Sequence, residues 1–430
     1  MFNRIISRLT GHRRPKQLPE SFCILPWVQT HVSVSGAMSP CCEFEGEYAN
    51  LSDATLSDGW KSQQLAKLRK SFLKGQKPKA CRKCFEREAS GERSIRLSCN
   101  KSFQGHYARV EAANKPLQAA TPFPVSLDLR FSNLCNFKCR SCWHGASSKW
   151  FADGKALGIT IGDKAEISSF TSVDDLMRQC EGGLGKLELL YFAGGEPLLL
   201  GEHYALLEKL VSLGRTDVGL TYNTNMSVLS FRGQSILDLW TQFDTVKMQA
   251  SVDATGALGA NMRSGFKCDT FVRNIQRVRA ECPHVEISFG VTVSIMNIMA
   301  LPDLFDALEQ SCGATLPWIN THSLQDPSFY RTQVLPEPLK QQTEAELRSY
   351  LDKTSKRTDI TAEDYGCLEK QFLGLLHFMN AADRSNQFAQ FKEMTQRIDA
   401  LRQESSAEVF AGLKDALSES ATATQSTAIS

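Results

Sequence analysis

Between residues 125 and 325 short apolar runs alternate with stretches of helical periodicity, and this alternation limits the fold more than any other feature of the chain. VSLDLRF, LELLYFAG, VGLTYNTN, TVKMQASVD and VEISFGVTVS read as strands, with YALLEKLVSLG and DTFVRNIQRVRAEC as helices between them. A helix that returns the chain between strands makes the strands parallel and covers one face of the sheet. Five or six such units are visible, fewer than the eight of a closed barrel. The expected fold is therefore α/β, a partial (β/α)6 TIM-like barrel over 125–330.

The flanks read differently. Over 21–100, HVSVSG alternates as a half-buried strand before a turn at Gly36. Trp60, Leu65, Leu68, Phe72 and Leu73 then recur at helical spacing up to Gly75, and a Cys-x-x-Cys turn follows. This predicts a small N-terminal hairpin-plus-helix module. Residues 101–124, with Pro116, Pro122 and Pro124, read as a linker, and 331–415 as a C-terminal helical extension. In that extension Phe388, Phe391, Met394, Ile398 and Leu401 form one stripe. The tail 416–430 lacks apolar spacing and is expected to be disordered.

Charge excludes little. The 49 basic and 47 acidic side chains leave a net charge of +2, so a polyanion-binding surface is not imposed by composition. No window approaches the roughly 18 apolar residues of a membrane span. The basic segment 1–20 has a broken apolar stripe (Phe2, Ile5, Ile6, Leu9) and no secretory h-region. It reads as a short docked helix or as a contact for a membrane surface or an anionic partner. A cytoplasmic protein is expected.

The 14 cysteines are not evenly spread. Cys135, Cys139 and Cys142 form a Cys-x3-Cys-x2-Cys loop directly after a predicted strand, and Cys23, Cys41, Cys42, Cys81 and Cys84 form a second group. Without an export signal, clustered thiols read as metal sites before they read as disulfides. The isolated Cys180, Cys268, Cys282, Cys312 and Cys367 read as small buried hydrophobes, and Cys99 lies close to the N-terminal group. Three thiolates bind three corners of a [4Fe–4S] cube and leave one iron open to an outside ligand. A structural zinc needs four closed ligands, for which His144 is the candidate fourth.

The triad resembles the cluster motif of the radical S-adenosylmethionine (SAM) superfamily in spacing and in position. Gly194, Gly195 and Glu196 of LYFAGGEPLL match that family's GGE motif, which implies contact with the methionine amino group. Asn223 and Asn225 resemble the strand end lining the SAM pocket. Ser251 and Asp253 resemble a ribose-contacting Ser-x-Asp, and Arg263 stands where related enzymes place an Arg toward the SAM carboxylate. Before the third cysteine, where an aromatic residue is usual, stands Ser141. Trp143 just beyond takes its place at the adenine, or adenine packs differently.

The N-terminal group resembles the SPASM/twitch auxiliary-cluster module, which usually follows the barrel and here precedes it. This implies an auxiliary [4Fe–4S] cluster on Cys23, Cys41, Cys81 and Cys84, with Cys42 an alternative to Cys41; zinc on the same thiols is the other reading. Together the resemblances imply cleavage of SAM to a 5′-deoxyadenosyl radical and hydrogen abstraction from a peptide or protein. A reductase such as a flavodoxin or ferredoxin would supply the electron. Modification of a nucleotide or nucleic-acid base, and a non-catalytic iron–sulfur protein, are the alternatives. No catalytic acid or base is singled out.

Overall fold

The computed structural model describes residues 18–89, 93–107, 110, 123–159, 162–410 and 412–418. The expected segment 1–20 lies almost wholly outside the described residues, as do most of 101–124 and the end of the tail. Residues Lys414–Ser418 form a short helix at the start of that tail.

Strands β1 (Gln29–Val32), β2 (Ala37–Ser39) and β3 (Ala49–Asn50) pair antiparallel in chain order. The turn between β1 and β2 passes through Gly36, whose φ of +79° favours glycine. The alternation in HVSVSG predicts a half-buried strand, yet every residue of β1 is buried. The reason is its neighbour: β1 is no edge, because β4 (Ser126–Leu129) pairs with it in parallel. The helix expected from Trp60 onward is two helices. Leu56–Trp60 starts at a capping box between Thr55 and Asp58, and Ser62 accepts from the Leu65 amide to start α1 (Gln63–Leu73). Helices α2 (Arg82–Ala89) and α3 (Ile95–Ser102) complete this region.

From β4 the chain runs through α4 (Trp150–Leu157) and α5 (Val173–Cys180) to β5 (Leu189–Phe192), then α6 (Gly201–Ser212) to β6 (Gly219–Thr224). It continues through β7 (Val246–Ser251), α7 (Cys268–Glu281), β8 (Glu286–Val293), α8 (Leu301–Cys312) and β9 (Ile319–Ser323). Each strand from β5 to β9 is parallel to the one before it. The sheet order is β9-β8-β7-β6-β5-β4-β1-β2-β3, so the six β/α strands form an open partial barrel that the N-terminal hairpin extends at the β4 edge. Strand β9 has only its end residues Ile319 and Ser323 buried, which leaves no apolar run to reveal it.

Helices α9 (Glu337–Ser355), α10 (Ala362–Asn380) and α11 (Phe388–Arg402) follow. On α11 the buried residues are Phe391, Thr395 and Ile398, while Leu401 is exposed. The buried face advances by three or four residues a turn and so reaches Arg402 rather than Leu401. Among the described residues no helix is long and apolar enough to cross a membrane.

Candidate metal and cofactor centre

Strand β4 delivers the chain into the three-cysteine loop at the carboxyl edge of the sheet, where α/β proteins place their sites. Cys135 and Cys139 are buried and Cys142 is half-buried. The Phe137 amide donates to Cys135 Sγ at 3.4 Å, and Asn225 Nδ2 approaches the same sulfur at 3.9 Å. Donors aimed at sulfur suit a thiolate. Without a metal, burial pushes the Cys135 thiol up to about 12. Cys139 is held below the usual thiol range by a hydrogen bond from Cys142, against its burial and with help from Arg263. Metal ligation replaces these protons.

The GGE segment packs directly on this loop. Gly195 has φ +55°, and a Cβ there would lie 2.2 Å from the Leu134 carbonyl oxygen. The Glu196 amide donates to that same oxygen at 2.8 Å. Only glycine allows the two backbones to meet next to Cys135. Glu196 is 1% exposed, and its carboxylate accepts from Thr224 Oγ1 and the Asn225 amide, both at 2.7 Å, and from the Leu198 amide at 3.1 Å. Burial nevertheless pushes it up to about 7. Its carboxylate thus ties the end of β6 to the GGE turn.

Asn225 Nδ2 also donates to Asn136 Oδ1 at 2.9 Å, which brings Asn225 to the loop, whereas Asn223 lies two residues deeper on the same face of β6. Ser251 ends β7, opposite Gly290. Asp253 and Arg263 are brought together: Arg263 Nε donates to Asp253 Oδ2 at 2.8 Å, and the Thr292 amide donates to Asp253 Oδ1 at 2.9 Å. Arg263 also pairs backbone to backbone with Cys139 in a two-stranded ribbon. Trp143 is 62% exposed, with its ring against Gly145. His144 Nε2 lies 3.0 Å from the Ala165 carbonyl oxygen, which commits the proposed fourth zinc ligand elsewhere.

The N-terminal module places the adjacent cysteines Cys41 and Cys42 in different surroundings. Cys23, Cys41, Cys81 and Cys84 line one small pocket, walled by Leu25, Pro26, Phe44 and Phe72. Cys42 is not among them. It opens into a separate chamber of about 420 Å³, shared with Ser98 and Cys99 of α3 and with the concave face of the barrel sheet. Burial drives Cys23 and Cys41 well above the usual thiol range and Cys81 up to about 12. The four thiols in an apolar enclosure fit a four-ligand cluster. Among the described residues, no three His, Cys, Asp or Glu side chains are set to hold a single metal ion. All 14 cysteines are free thiols.

On the chamber's sheet wall Lys247 and Glu286 face each other across β7 and β8 at 2.9 Å. Asp128 accepts from Arg130 Nε at 2.9 Å and lies 3.1 Å from His31 Nδ1; burial raises Asp128, but Arg130 and His31 outweigh it and hold the carboxyl below its usual range. Neither group was identified from sequence, because Lys247 and Glu286 look like ordinary strand residues until register sets them opposite.

Residues 23–85 match SPASM, an iron–sulfur cluster-binding domain. No curated protein matches the chain. Among solved structures it is similar to native anSMEcpe with bound AdoMet and Cp18Cys peptide, at 15% identity over 53% of this chain and 58% of that one, with a TM-score of 0.37. It is also similar to spore photoproduct lyase complexed with dinucleoside spore photoproduct, at 15% identity over 60% of this chain and 80% of that one, with a TM-score of 0.33. The chain thus spans 58% of the length of the first of these. Every cysteine of the N-terminal group falls within the segment that matches an iron–sulfur cluster-binding domain.

Proposed function

We propose that this protein is a radical SAM enzyme with an auxiliary iron–sulfur site, acting on a peptide or protein. The observation that carries the reading is the packing of Gly194–Glu196 against the backbone just before Cys135. When bound, a [4Fe–4S] cluster and SAM supply reductive cleavage to methionine and a 5′-deoxyadenosyl radical.

In this reading Cys135, Cys139 and Cys142 hold three corners of the cluster. The Gly194–Gly195 backbone and Glu196 hold the methionine end of SAM, with Asn225, Ser251, Asp253 and Arg263 around the rest and Asn223 deeper. Trp143 closes the loop from outside. Cys23, Cys41, Cys81 and Cys84 hold the auxiliary cluster in residues 21–100, and 125–330 carry the SAM site. The electron comes from a flavodoxin- or ferredoxin-type reductase in a reducing cytoplasm.

A peptide is favoured over a nucleotide by charge. Lys247 is the cation among the described lining residues, and it is already paired with Glu286. A phosphate-bearing ligand would have to break that pair. The side chains of Asn223, Gln249 and Asn320, which also line the chamber, carry both donors and acceptors and suit backbone amides. The test is to incubate the reconstituted, reduced enzyme with SAM and pooled synthetic peptides carrying deuterium at carbon. Deuterium in 5′-deoxyadenosine supports the reading; deuterium transfer only from labelled nucleotides contradicts the peptide assignment.

A further inference from the structure

The stretch between Cys135 and Cys142 is held from the far end of the chain. Arg140 is 1% exposed, and its Nη2 meets Asp399 at 2.5 Å and Glu404 at 2.7 Å, at and just beyond the end of α11. Arg402 Nε donates to Asp153 Oδ2 at 2.8 Å, and Asp153 also pairs with Lys138 at 3.1 Å. Arg402 Nη1 donates to Ser264 Oγ at 3.1 Å, and its guanidinium lies 4.9 Å from the centre of the Trp150 ring. Trp150 Nε1 in turn donates to the Cys139 carbonyl oxygen at 2.7 Å. Ile398 of α11 packs with Trp150 and Leu157, and Cys142 lies against that cluster.

Arg402 side-chain exposure is 2%, and its Nη2 is a buried donor with no partner, as is Nη1 of Arg140. Charge near the loop is otherwise matched: Lys138, Arg140, Arg263 and Arg402 face Asp153, Asp253, Asp399 and Glu404. Removing one member leaves an uncompensated buried charge beside the thiols. Reduction of a cluster adds negative charge, so a lost cation opposes it and a lost carboxylate favours it.

We propose that α11 clasps the three-cysteine loop and that Arg402 is a positioning residue whose charge sets how readily the loop's cluster is reduced. This rests on reading the loop as a cluster site. The helical extension is then part of the redox centre rather than a separate appendage. Arg263 sits on the opposite strand of the same loop, so two guanidinium groups flank Cys139.

The test uses the full chain, reconstituted with iron and sulfide without SAM, in a redox titration followed by electron paramagnetic resonance. The loop signal is the one absent from Cys139→Ala. Arg402→Met should lower the reduced fraction of that cluster about tenfold at a fixed potential, which is about 59 mV for one electron. Glu404→Gln should move it the opposite way. Arg402→Lys should restore the wild-type midpoint while melting at a lower temperature, because it keeps the charge and loses the fork. The auxiliary signal should not move in any variant. An unchanged loop midpoint in Arg402→Met, or equal shifts of both clusters, overturns the proposal. If Arg402→Met loses its loop iron, a Glu404→Gln midpoint equal to wild type, or a Lys variant displaced tenfold, overturns it instead. A wild-type chain with no iron in the loop contradicts the underlying reading, a different result from an unmoved midpoint.

Discussion

Cys23, Cys41, Cys81 and Cys84 come from separate stretches of the N-terminal module and meet in one pocket; Cys135, Cys139 and Cys142 come from a single loop after β4. In the first site burial dominates, and it drives Cys23 and Cys41 far above the usual thiol range. In the second, burial likewise pushes Cys135 up to about 12, and of the three thiols only Cys139 is pulled below the usual range, by its thiol partner and nearby guanidinium groups. The difference separates two tasks. A set of four thiols drawn from separate stretches comes together only when the module folds, and four thiolates on one cube leave no position for an outside ligand. A three-thiol loop leaves one, and the protein surrounds that loop with hydrogen-bond donors and matched charge.

The largest expected effect breaks the loop. Cys139→Ala should remove about half the iron and abolish SAM cleavage while the auxiliary site stays filled. Iron analysis and 5′-deoxyadenosine measurement check it; sustained cleavage would sink the loop assignment. The complementary change is Cys81→Ala with Cys84→Ala, which should also remove about half the iron yet leave SAM cleavage intact. Loss of cleavage there would mean that the two sites are not independent.

Two changes sharpen the SAM side. Glu196 titrates at about 7 in the folded chain, above the ordinary carboxylate value. Its protonated form is therefore favoured by folding. The stability it contributes is full below about pH 4.5 and is lost as pH rises toward 7, by about 3 kcal/mol at most. Glu196→Gln should flatten that slope in denaturant melts of the metal-free chain; an unchanged slope would place the titration elsewhere. Gly195→Ala adds a Cβ at 2.2 Å from the Leu134 oxygen, in a left-handed conformation. It should cost about 2 kcal/mol and weaken SAM binding about tenfold, read by calorimetry. The smallest effect separates neighbours: Cys42→Ser should leave iron unchanged, whereas Cys41→Ser should lose the auxiliary cluster. The reverse outcome would exchange their assignments.

The strands from β4 to β8 were legible because each is a short apolar run between helical stretches. Strand β9 was not, because its middle residues are polar and only partly buried. The three-cysteine loop and Gly194–Glu196 could be recognised by their resemblance to family motifs, since both are local in sequence. The different surroundings of Cys41 and Cys42 could not be read, because adjacent residues open into different pockets only once the module is folded. Nor could the clasp. Arg140 and Glu404 are 264 residues apart, and Arg402 continues an apolar stripe that sequence assigns to Leu401. β1 was misjudged for a related reason, because alternation marks a solvated face and its partner β4 removes that face.

The central claim is tested most directly under argon. The chain is reconstituted with iron and sulfide, reduced with dithionite, mixed with SAM and assayed for 5′-deoxyadenosine. The account predicts 5′-deoxyadenosine above the no-enzyme control, absent from Cys139→Ala. A fully iron-loaded chain that neither binds nor cleaves SAM would contradict it.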